Sequence, residues 1–205
     1  MIKMVQLGAG IGKGPSDMIW TLKEKDPTLP ILFVEPYEPS FLKLKEYYAS
    51  YPNCYFERCA ILPDPQPTEA ILYHNINSTC DNAMATTKPG SGRGNHDTVV
   101  VPSMSLRDLL DKYKLIGVPF DLLQLDIEEQ DAAVVMSTRF RDEVLAHHVR
   151  VETVHLGEGV KQLISYMGSS GYDVIDDPYY DLYKSKTGIQ AEPKSFNTVF
   201  ERRAT

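Results

Sequence analysis

The spacing of apolar and polar positions changes at regular intervals along this chain. Short, largely apolar runs, among them IKMVQL, PILFVEP and FDLLQLD, predict strands that are buried inside a sheet. Segments with the spacing of amphipathic helices separate these runs. Strands that alternate with helices in this way predict βαβ units and a mainly parallel sheet.

The pattern can be divided into individual elements. The predicted strands cover residues 2–7, 30–36, 53–61, 69–75, 98–103, 120–126 and 148–156, and three late strands cover 171–177, 180–184 and 196–203. The predicted helices cover 16–25, 39–48, 106–114, 129–136 and 159–168. Ser105, with Asp108 three residues later, has the spacing of a helix cap. These elements predict an α/β, Rossmann-like fold: a mostly parallel twisted sheet with helices on both faces and an antiparallel C-terminal strand.

Composition limits the class of protein. A chain of 205 residues predicts one domain, and its very early first strand suggests either a domain excised from a larger protein or a very compact protein. A net charge of -7 argues against binding to a nucleic-acid backbone. No apolar run predicts membrane insertion and no signal peptide is evident. Cys54, Cys59 and Cys80 lack the spacing of metal ligands and predict free thiols in a reducing, cytoplasmic setting.

Glycines stand at positions 8, 10 and 12, directly after the first predicted strand. A phosphate-binding loop needs Lys followed by Ser or Thr, whereas Gly14 follows Lys13 here. A dinucleotide loop needs G-x-G-x-x-G, and Lys13 occupies the place of its third glycine. The spacing G-x-G-x-G is typical of S-adenosylmethionine sites, where glycines let the backbone approach the cofactor. The alternative is a glycine-rich turn that binds nothing.

The second predicted strand ends at Glu35, on the sheet edge where open α/β folds bind their ligands. A carboxylate at that point can accept hydrogen bonds from both hydroxyls of a ribose. Dinucleotide enzymes use the same device, so Glu35 predicts a nucleoside ligand without choosing the cofactor. A solvated charge at a strand end is the simpler alternative.

A dense acidic run follows the strand that ends at Asp126, in FDLLQLDIEEQDAAVV. The order VQLGAGIG, FVEP, SLRDLL, FDLLQLDIEEQDAAVV and VRVETV resembles the FkbM family of S-adenosylmethionine-dependent methyltransferases over about residues 5–154. The late SFNTVFE suits the final strand of that family. The resemblance implies a Rossmann-like class I methyltransferase fold. It also implies transfer of a methyl group to an oxygen, commonly a hydroxyl of a sugar or a natural product.

The resemblance also implies a set of cofactor contacts: Gln6, Gly8, Ala9, Gly10, Gly12, Glu35, Pro36, Ala60 and Asp126. Three positions depart from the family pattern. Gln6 stands where the family has an acid, and Gln can accept a hydrogen bond but supplies no charge to the ammonium group of the cofactor. Gln124 replaces a Lys and Glu129 replaces a Gly, which bears on the catalytic arrangement.

An alcohol is a poor nucleophile, so methyl transfer to it needs a base or a metal ion. Asp126 and Glu152 end adjacent predicted strands and are expected at one cleft, where with Glu128 they could bind Mg²⁺ or another divalent cation. Alternatively His155 accepts the proton, or Glu128 or Glu129 does so instead. Asp126, Glu128 and His155 are therefore the predicted catalytic residues. For Asp131 the simpler explanation is an acidic helix N-terminus.

The segment from Ile76 to Asp97 is rich in Asn, Ser, Thr and Gly, and its length predicts a functional lid or a disordered loop. An acceptor entering beside the cofactor would pass beneath it. His74, Asn75 and Ser78 lie at its start and are the predicted acceptor contacts.

The expected partner is a small-molecule or glycan acceptor, and the chain is expected to form a homodimer or to be fused to glycosyltransferase domains. A lipid, polyketide or peptide hydroxyl is the second hypothesis for the acceptor. An NAD-dependent oxidoreductase and a non-catalytic Rossmann-like binding domain are the alternatives from other classes.

Overall fold

The computed structural model describes residues 1–13, 17–75, 85–87, 96–179 and 197–204. Its strands are β1 (Met4–Leu7), β2 (Ile31–Val34), β3 (Cys54–Glu57), β4 (Ala60–Ile61), β5 (Glu69–Asn75), β6 (Ala85–Thr86), β7 (His96–Met104), β8 (Pro119–Leu125), β9 (Leu145–Glu152), β10 (Tyr172–Ile175) and β11 (Asn197–Arg202). Its helices are α1 (Met18–Lys25), α2 (Glu38–Tyr47), α3 (Leu106–Lys112), α4 (Asp131–Ser137) and α5 (Gly159–Ser169), and a 3-10 turn covers Glu128–Gln130.

Seven of these strands form the main sheet, in the order β10-β11-β9-β8-β1-β2-β3. β1 pairs in parallel with β2 and β8, while β2 pairs in parallel with β3 and β8 with β9. β11 runs antiparallel to both of its neighbours, β9 and β10. The predicted α/β class, with a mostly parallel sheet and an antiparallel C-terminal strand, is therefore confirmed.

Side chains alternate between the two faces of this sheet, and helices cover both faces. On one face Val5, Leu7 and Leu123 join a core built with the apolar residues of α3, α4 and α5. On the other face Met4 and Leu122 pack with residues of α1 and α2. Both clusters are almost wholly buried, which explains why the central strands are apolar in nearly every position.

A second, smaller sheet lies between β3 and α3 in the sequence, in the order β4-β7-β5-β6. β5 and β7 form a long antiparallel pair, and β4 joins β7 in parallel. Tyr37, at the start of α2, packs against the apolar side of this sheet. At its other end Gln130 donates a hydrogen bond to the hydroxyl of Thr87, over 3.0 Å. The small sheet therefore contacts the segments that follow β2 and β8, at two places along the carboxyl edge of the main sheet.

Several predicted boundaries are wrong. The run 53–61 is not one strand, because the chain leaves the main sheet after Glu57 and Ala60 joins the second sheet. β9 begins three residues before the predicted start and ends at Glu152, so His155 lies in the following turn. The segment 76–97 contains β6 and the start of β7. The predicted strand 180–184 lies outside the described residues.

The predicted helix caps and thiols have clearer outcomes. The Ser105 hydroxyl accepts the backbone N–H of Asp108 over 3.0 Å, which confirms that cap. Cys54 and Cys59 are free, while Cys80 lies outside the described residues. Within the described ranges no helix combines the length and the apolar character needed to cross a bilayer.

One glycine fixes how the loop after β1 meets β8. Gly8 has a positive φ of 73°, and a Cβ built on it would lie 1.8 Å from the backbone oxygen of Asp126. Because that oxygen belongs to the main chain, it cannot move aside as a side chain could. Only glycine therefore fits at this junction.

Gly8→Ala is expected to lower the free energy of unfolding by about 3 kcal/mol or more, since a strained φ and a backbone clash add together. Gly117→Ala is the matched control: its φ is also positive, at 66°, but a Cβ there meets nothing within 4 Å. It should cost only about 1–2 kcal/mol. Urea unfolding of both variants measures the difference, and equal costs would mean that the Asp126 contact does not constrain the loop.

Candidate active site

The carboxyl ends of four neighbouring strands bring polar groups to one edge of the main sheet. Gly8 follows β1, Glu35 follows β2 and Asp126 follows β8, while Glu152 is the last residue of β9. Parallel strands in adjacent positions end at the same edge, so these residues line a common cleft. The structure thus brings together the predicted loop, the predicted ribose carboxylate and the predicted acidic pair.

The glycine loop follows β1 and contacts both β2 and α2. The N–H groups of Gly8 and Ala9 both donate to the carbonyl of Val34, each over 3.0 Å. Gly12 has a positive φ of 63°, and a Cβ on it would lie 2.2 Å from the side chain of Leu44, which would have to shift to admit one. The hydroxyl of Tyr48 donates to the carbonyl of Gly12 over 2.7 Å and ties the loop to α2.

Glu35 is buried beneath the loop, with 6% of its surface exposed. One carboxylate oxygen accepts the N–H of Gly10 and the other accepts the N–H of Tyr37, both over 2.8 Å. Burial raises the pKa of Glu35 to about 7, against the lowering effect of these two donors, and the nearby Asp126 raises it further. Each oxygen keeps one lone pair, which is the acceptor that a ribose hydroxyl would need.

Four predicted residues meet at the ends of β8 and β9. Nε2 of His155 lies 3.8 Å from Glu128 and 3.9 Å from Glu152. Glu152 also shares a hydrogen bond with Asp126. Ligand atoms of Glu128, Glu152 and His155 all lie within 4.8 Å of one another. The cluster can therefore accept a proton or bind a cation.

Burial and mutual repulsion disfavour charge on this cluster. Burial raises the pKa of Glu152 to about 8, and the neighbouring Asp126 and Glu128 contribute. Asp126 is exposed by its surface area, yet desolvation by the surrounding protein raises its pKa, and the positive charge of Arg150 opposes that shift. Glu128 has a positive φ of 62°, a strained conformation for a residue with a side chain.

Two acidic residues beside the cleft were not among the predicted site residues. Asp131 is completely buried and accepts the N–H of Ile127 over 3.1 Å, so it supports the turn between Asp126 and Glu128. Asp17 lies beside Gln6, with 3.5 Å between the amide nitrogen and a carboxylate oxygen. Sequence reasoning missed both because helix N-termini are often acidic for reasons unrelated to function.

The remaining predicted contacts are less central. Ala9 is buried against α1 and α2, and Pro36 is half-buried beside Glu35. Ala60 is buried in β4 of the second sheet. His74 and Asn75 lie in β5, but their side chains, and all of Ser78, are outside the described part of the chain.

Comparison with known proteins gives structural matches only, since no protein-family model and no curated protein sequence matches this chain. The similar solved structures include Aeropyrum pernix fibrillarin with natively bound S-adenosyl-L-methionine, at 13% identity over 98% of this chain and 66% of that chain, with a TM-score of 0.48. The methyltransferase domain of bacterial CtHen1-C matches at 13% identity over 98% of this chain and 90% of that chain, with a TM-score of 0.47. The plantazolicin methyltransferase BamL, in complex with S-adenosylhomocysteine and a desmethyl analog, matches at 10% identity over 98% and 77%, with a TM-score of 0.48.

The strand order, with antiparallel β11 between β9 and β10, is that of a Rossmann-like class I methyltransferase fold, as predicted. At 10–13% identity the activities of these proteins do not transfer to this chain. The resemblance to the FkbM family stays a prediction.

Glu35→Gln is expected to change how stability depends on pH. The pKa of Glu35 rises from its ordinary 4.5 to about 7 on folding. Wild-type protein should therefore lose stability as pH rises from 4.5 to 7, by up to about 3 kcal/mol, because only the folded state retains the proton. Gln cannot ionise, so the variant should gain stability relative to wild type over this range. Urea unfolding of both proteins at pH 5 and pH 8 tests this, and an unchanged difference would contradict it.

Proposed function

We propose that this chain is an S-adenosylmethionine-dependent O-methyltransferase related to the FkbM family, acting on a hydroxyl of a sugar. The observation that carries this proposal is the shared cleft. The glycine loop and Glu35 lie at the ends of β1 and β2, and Asp126, Glu152 and His155 lie at or just beyond the ends of β8 and β9. Nucleoside-binding groups thus adjoin groups that can accept a proton.

Charge favours this cofactor over a dinucleotide. Asp126, Glu152 and Glu128 lie at the end of the cleft beside the loop, where the pyrophosphate of NAD would disfavour their ionisation still further and would be repelled by any of them that ionise. A cofactor that carries a sulfonium and an ammonium group would be attracted to the same carboxylates. The strand order also differs from that of a dinucleotide-binding fold, because the antiparallel strand β11 lies between β9 and the edge strand β10.

The residues present fit S-adenosylmethionine. Glu35 has free lone pairs for the ribose, and the loop has no side chain at Gly8 and Gly12. Gln6 is 4% exposed, and its amide oxygen has no hydrogen-bond partner among the described residues. Buried hydrogen-bond acceptors are normally paired, so we expect a hydrogen-bond donor on the ligand to bind this oxygen. When bound, the cofactor supplies an electrophilic methyl group on sulfur.

On the acceptor side, His155 is the group best arranged to take the hydroxyl proton. It is half exposed, and Glu128 and Glu152 would stabilise its protonated ring from 3.8 and 3.9 Å. Asp131 supports the turn that carries Glu128 through its bond to the N–H of Ile127. The proton would pass from the acceptor oxygen to the ring as the carbon–oxygen bond forms and the bond between the methyl carbon and the cofactor sulfur breaks.

A divalent cation is the second candidate for activating the hydroxyl. Glu128, Glu152 and His155 offer ligand atoms within 4.8 Å of one another, and oxygen ligands suit Mg²⁺. Asp126, also a predicted ligand, lies beside Glu152 and could bind the ion as a further ligand. In that arrangement His155 would be a ligand or would lie beside the ion.

The presence of the second sheet favours a large acceptor molecule. It contacts Tyr37, after β2, and Gln130, after β8, and we propose that the acceptor binds between this sheet and the cleft. His74, Asn75 and Ser78 stay the proposed acceptor contacts. A homodimer, or fusion to glycosyltransferase domains, would suit an enzyme that modifies glycans in the cytoplasm. A lipid or polyketide hydroxyl is the alternative acceptor.

Purified protein should bind S-adenosylhomocysteine with a dissociation constant in the micromolar range or below. Glu35→Gln should weaken binding about tenfold, because a neutral amide replaces a charged acceptor of two ribose hydroxyls. Glu69→Gln, an exposed residue on the second sheet, is the control and should bind as wild type does. Calorimetry measures all three, and absence of binding to wild type would refute the proposal. Binding of NADH instead would favour an oxidoreductase.

His155→Ala should lower the rate of methyl transfer about 100-fold or more, because the hydroxyl loses its proton acceptor. His147→Ala, an exposed histidine near the start of β9, should have no effect. Labelled cofactor with a panel of sugar, lipid and polyketide alcohols measures transfer and identifies the acceptor.

Two outcomes of this assay would redirect the proposal. If EDTA abolishes transfer while His155→Ala retains it, the cation activates the hydroxyl. If every alcohol fails although the cofactor binds, the chain is a non-catalytic binding domain.

A further inference from the structure

The cleft has a charge requirement that β1 does not meet. S-adenosylmethionine carries an ammonium group on its methionine part, and a buried ammonium needs an anionic partner. The resemblance leads one to expect an acid at the end of β1, but Gln6 stands there. A neutral amide can orient the ammonium without balancing its charge.

Asp17 supplies a carboxylate next to that position. Its Oδ2 lies 3.5 Å from the amide nitrogen of Gln6, although the two residues belong to different elements. Oδ1 of Asp17 accepts the N–H of Trp20 over 3.1 Å and so caps α1. The cap fixes the carboxylate in place and leaves Oδ2 facing Gln6.

Two further observations indicate that the space beside Gln6 and Asp17 would favour a cationic hydrogen-bond donor. The amide oxygen of Gln6 is buried and has no partner among the described residues. Burial raises the pKa of Asp17, against the N–H of Trp20 and the side chain of Gln6. Asp17 also raises the pKa of Asp126, so the two carboxylates are close enough to repel each other across the end of the cleft. The positive charge of Arg150, which is paired with Asp177, only partly offsets this.

We infer that Asp17 binds the ammonium group of the cofactor, together with the amide oxygen of Gln6. The charge that an acid at the end of β1 would supply comes instead from the N-cap of α1. This inference rests on the proposed function, because it names the residue that recognises the methionine part of the same cofactor.

The test compares two ligands that differ only in the methionine part. S-adenosylhomocysteine has the ammonium group, and 5′-methylthioadenosine lacks it. Asp17→Asn preserves the helix cap, since Asn and Asp cap equally well. It should weaken binding of S-adenosylhomocysteine about tenfold or more and leave binding of methylthioadenosine within about twofold. Asp121→Asn, an exposed acid at the start of β8, is the control for charge and should change neither.

A second variant moves the charge rather than deleting it. Adding Gln6→Glu to Asp17→Asn returns one carboxylate to the same corner and should restore most of the lost affinity. Equal loss for both ligands, or no loss for either, would overturn the inference, and so would a failed restoration in a protein with wild-type melting temperature. If wild-type protein bound methylthioadenosine but not S-adenosylhomocysteine, the ammonium site would be wrong while the nucleoside site stood. Binding of neither would refute the proposed function itself.

Discussion

The close approach of Gly8 to the backbone of Asp126 is the constraint on which the cleft depends. A carbonyl oxygen occupies the space where a side chain at position 8 would begin, so the loop after β1 lies directly against the end of β8. On its other side the same loop is bonded to Val34 at the end of β2. The loop is thereby fixed between the strand that leads to Glu35 and the strand that leads to Asp126. The distance from the glycine loop to the acidic cluster therefore follows from backbone packing rather than from flexible side chains.

The acidic groups of the cleft resist ionisation in the folded protein. The pKa values of Glu35, Asp126 and Glu152 are all raised, so each group is less ready to ionise in the folded protein than in water. A cationic ligand would reverse that preference, because its charge would favour the ionised carboxylates. Under the proposed function the site would therefore select by charge as well as by shape and would disfavour anionic cofactors at the end near β8 and β9.

The sequence predicted the elements whose character is set by local pattern. Apolar runs identified the buried strands, and Ser105 with Asp108 identified a helix start, because burial and capping leave their trace within a few residues. Strand order brought Glu35, Asp126 and Glu152 to one edge once the sheet was known to be parallel. The separation of 53–61 into two strands was not predictable, since nothing local marks the point where the chain leaves one sheet for another.

The residues that sequence reasoning missed share one property: their role depends on contacts across the fold. Asp131 looks like an ordinary acid at the start of a helix, and only its complete burial against the N–H of Ile127 reveals a supporting role. Asp17 likewise caps a helix, and only its proximity to Gln6 suggests that it could also bind a ligand. The end of β1 and the start of α1 lie on opposite sides of one glycine loop. If Asp17 binds the ammonium group as proposed, the site keeps the position of its negative charge while the residue that carries the charge moves from β1 to the start of α1.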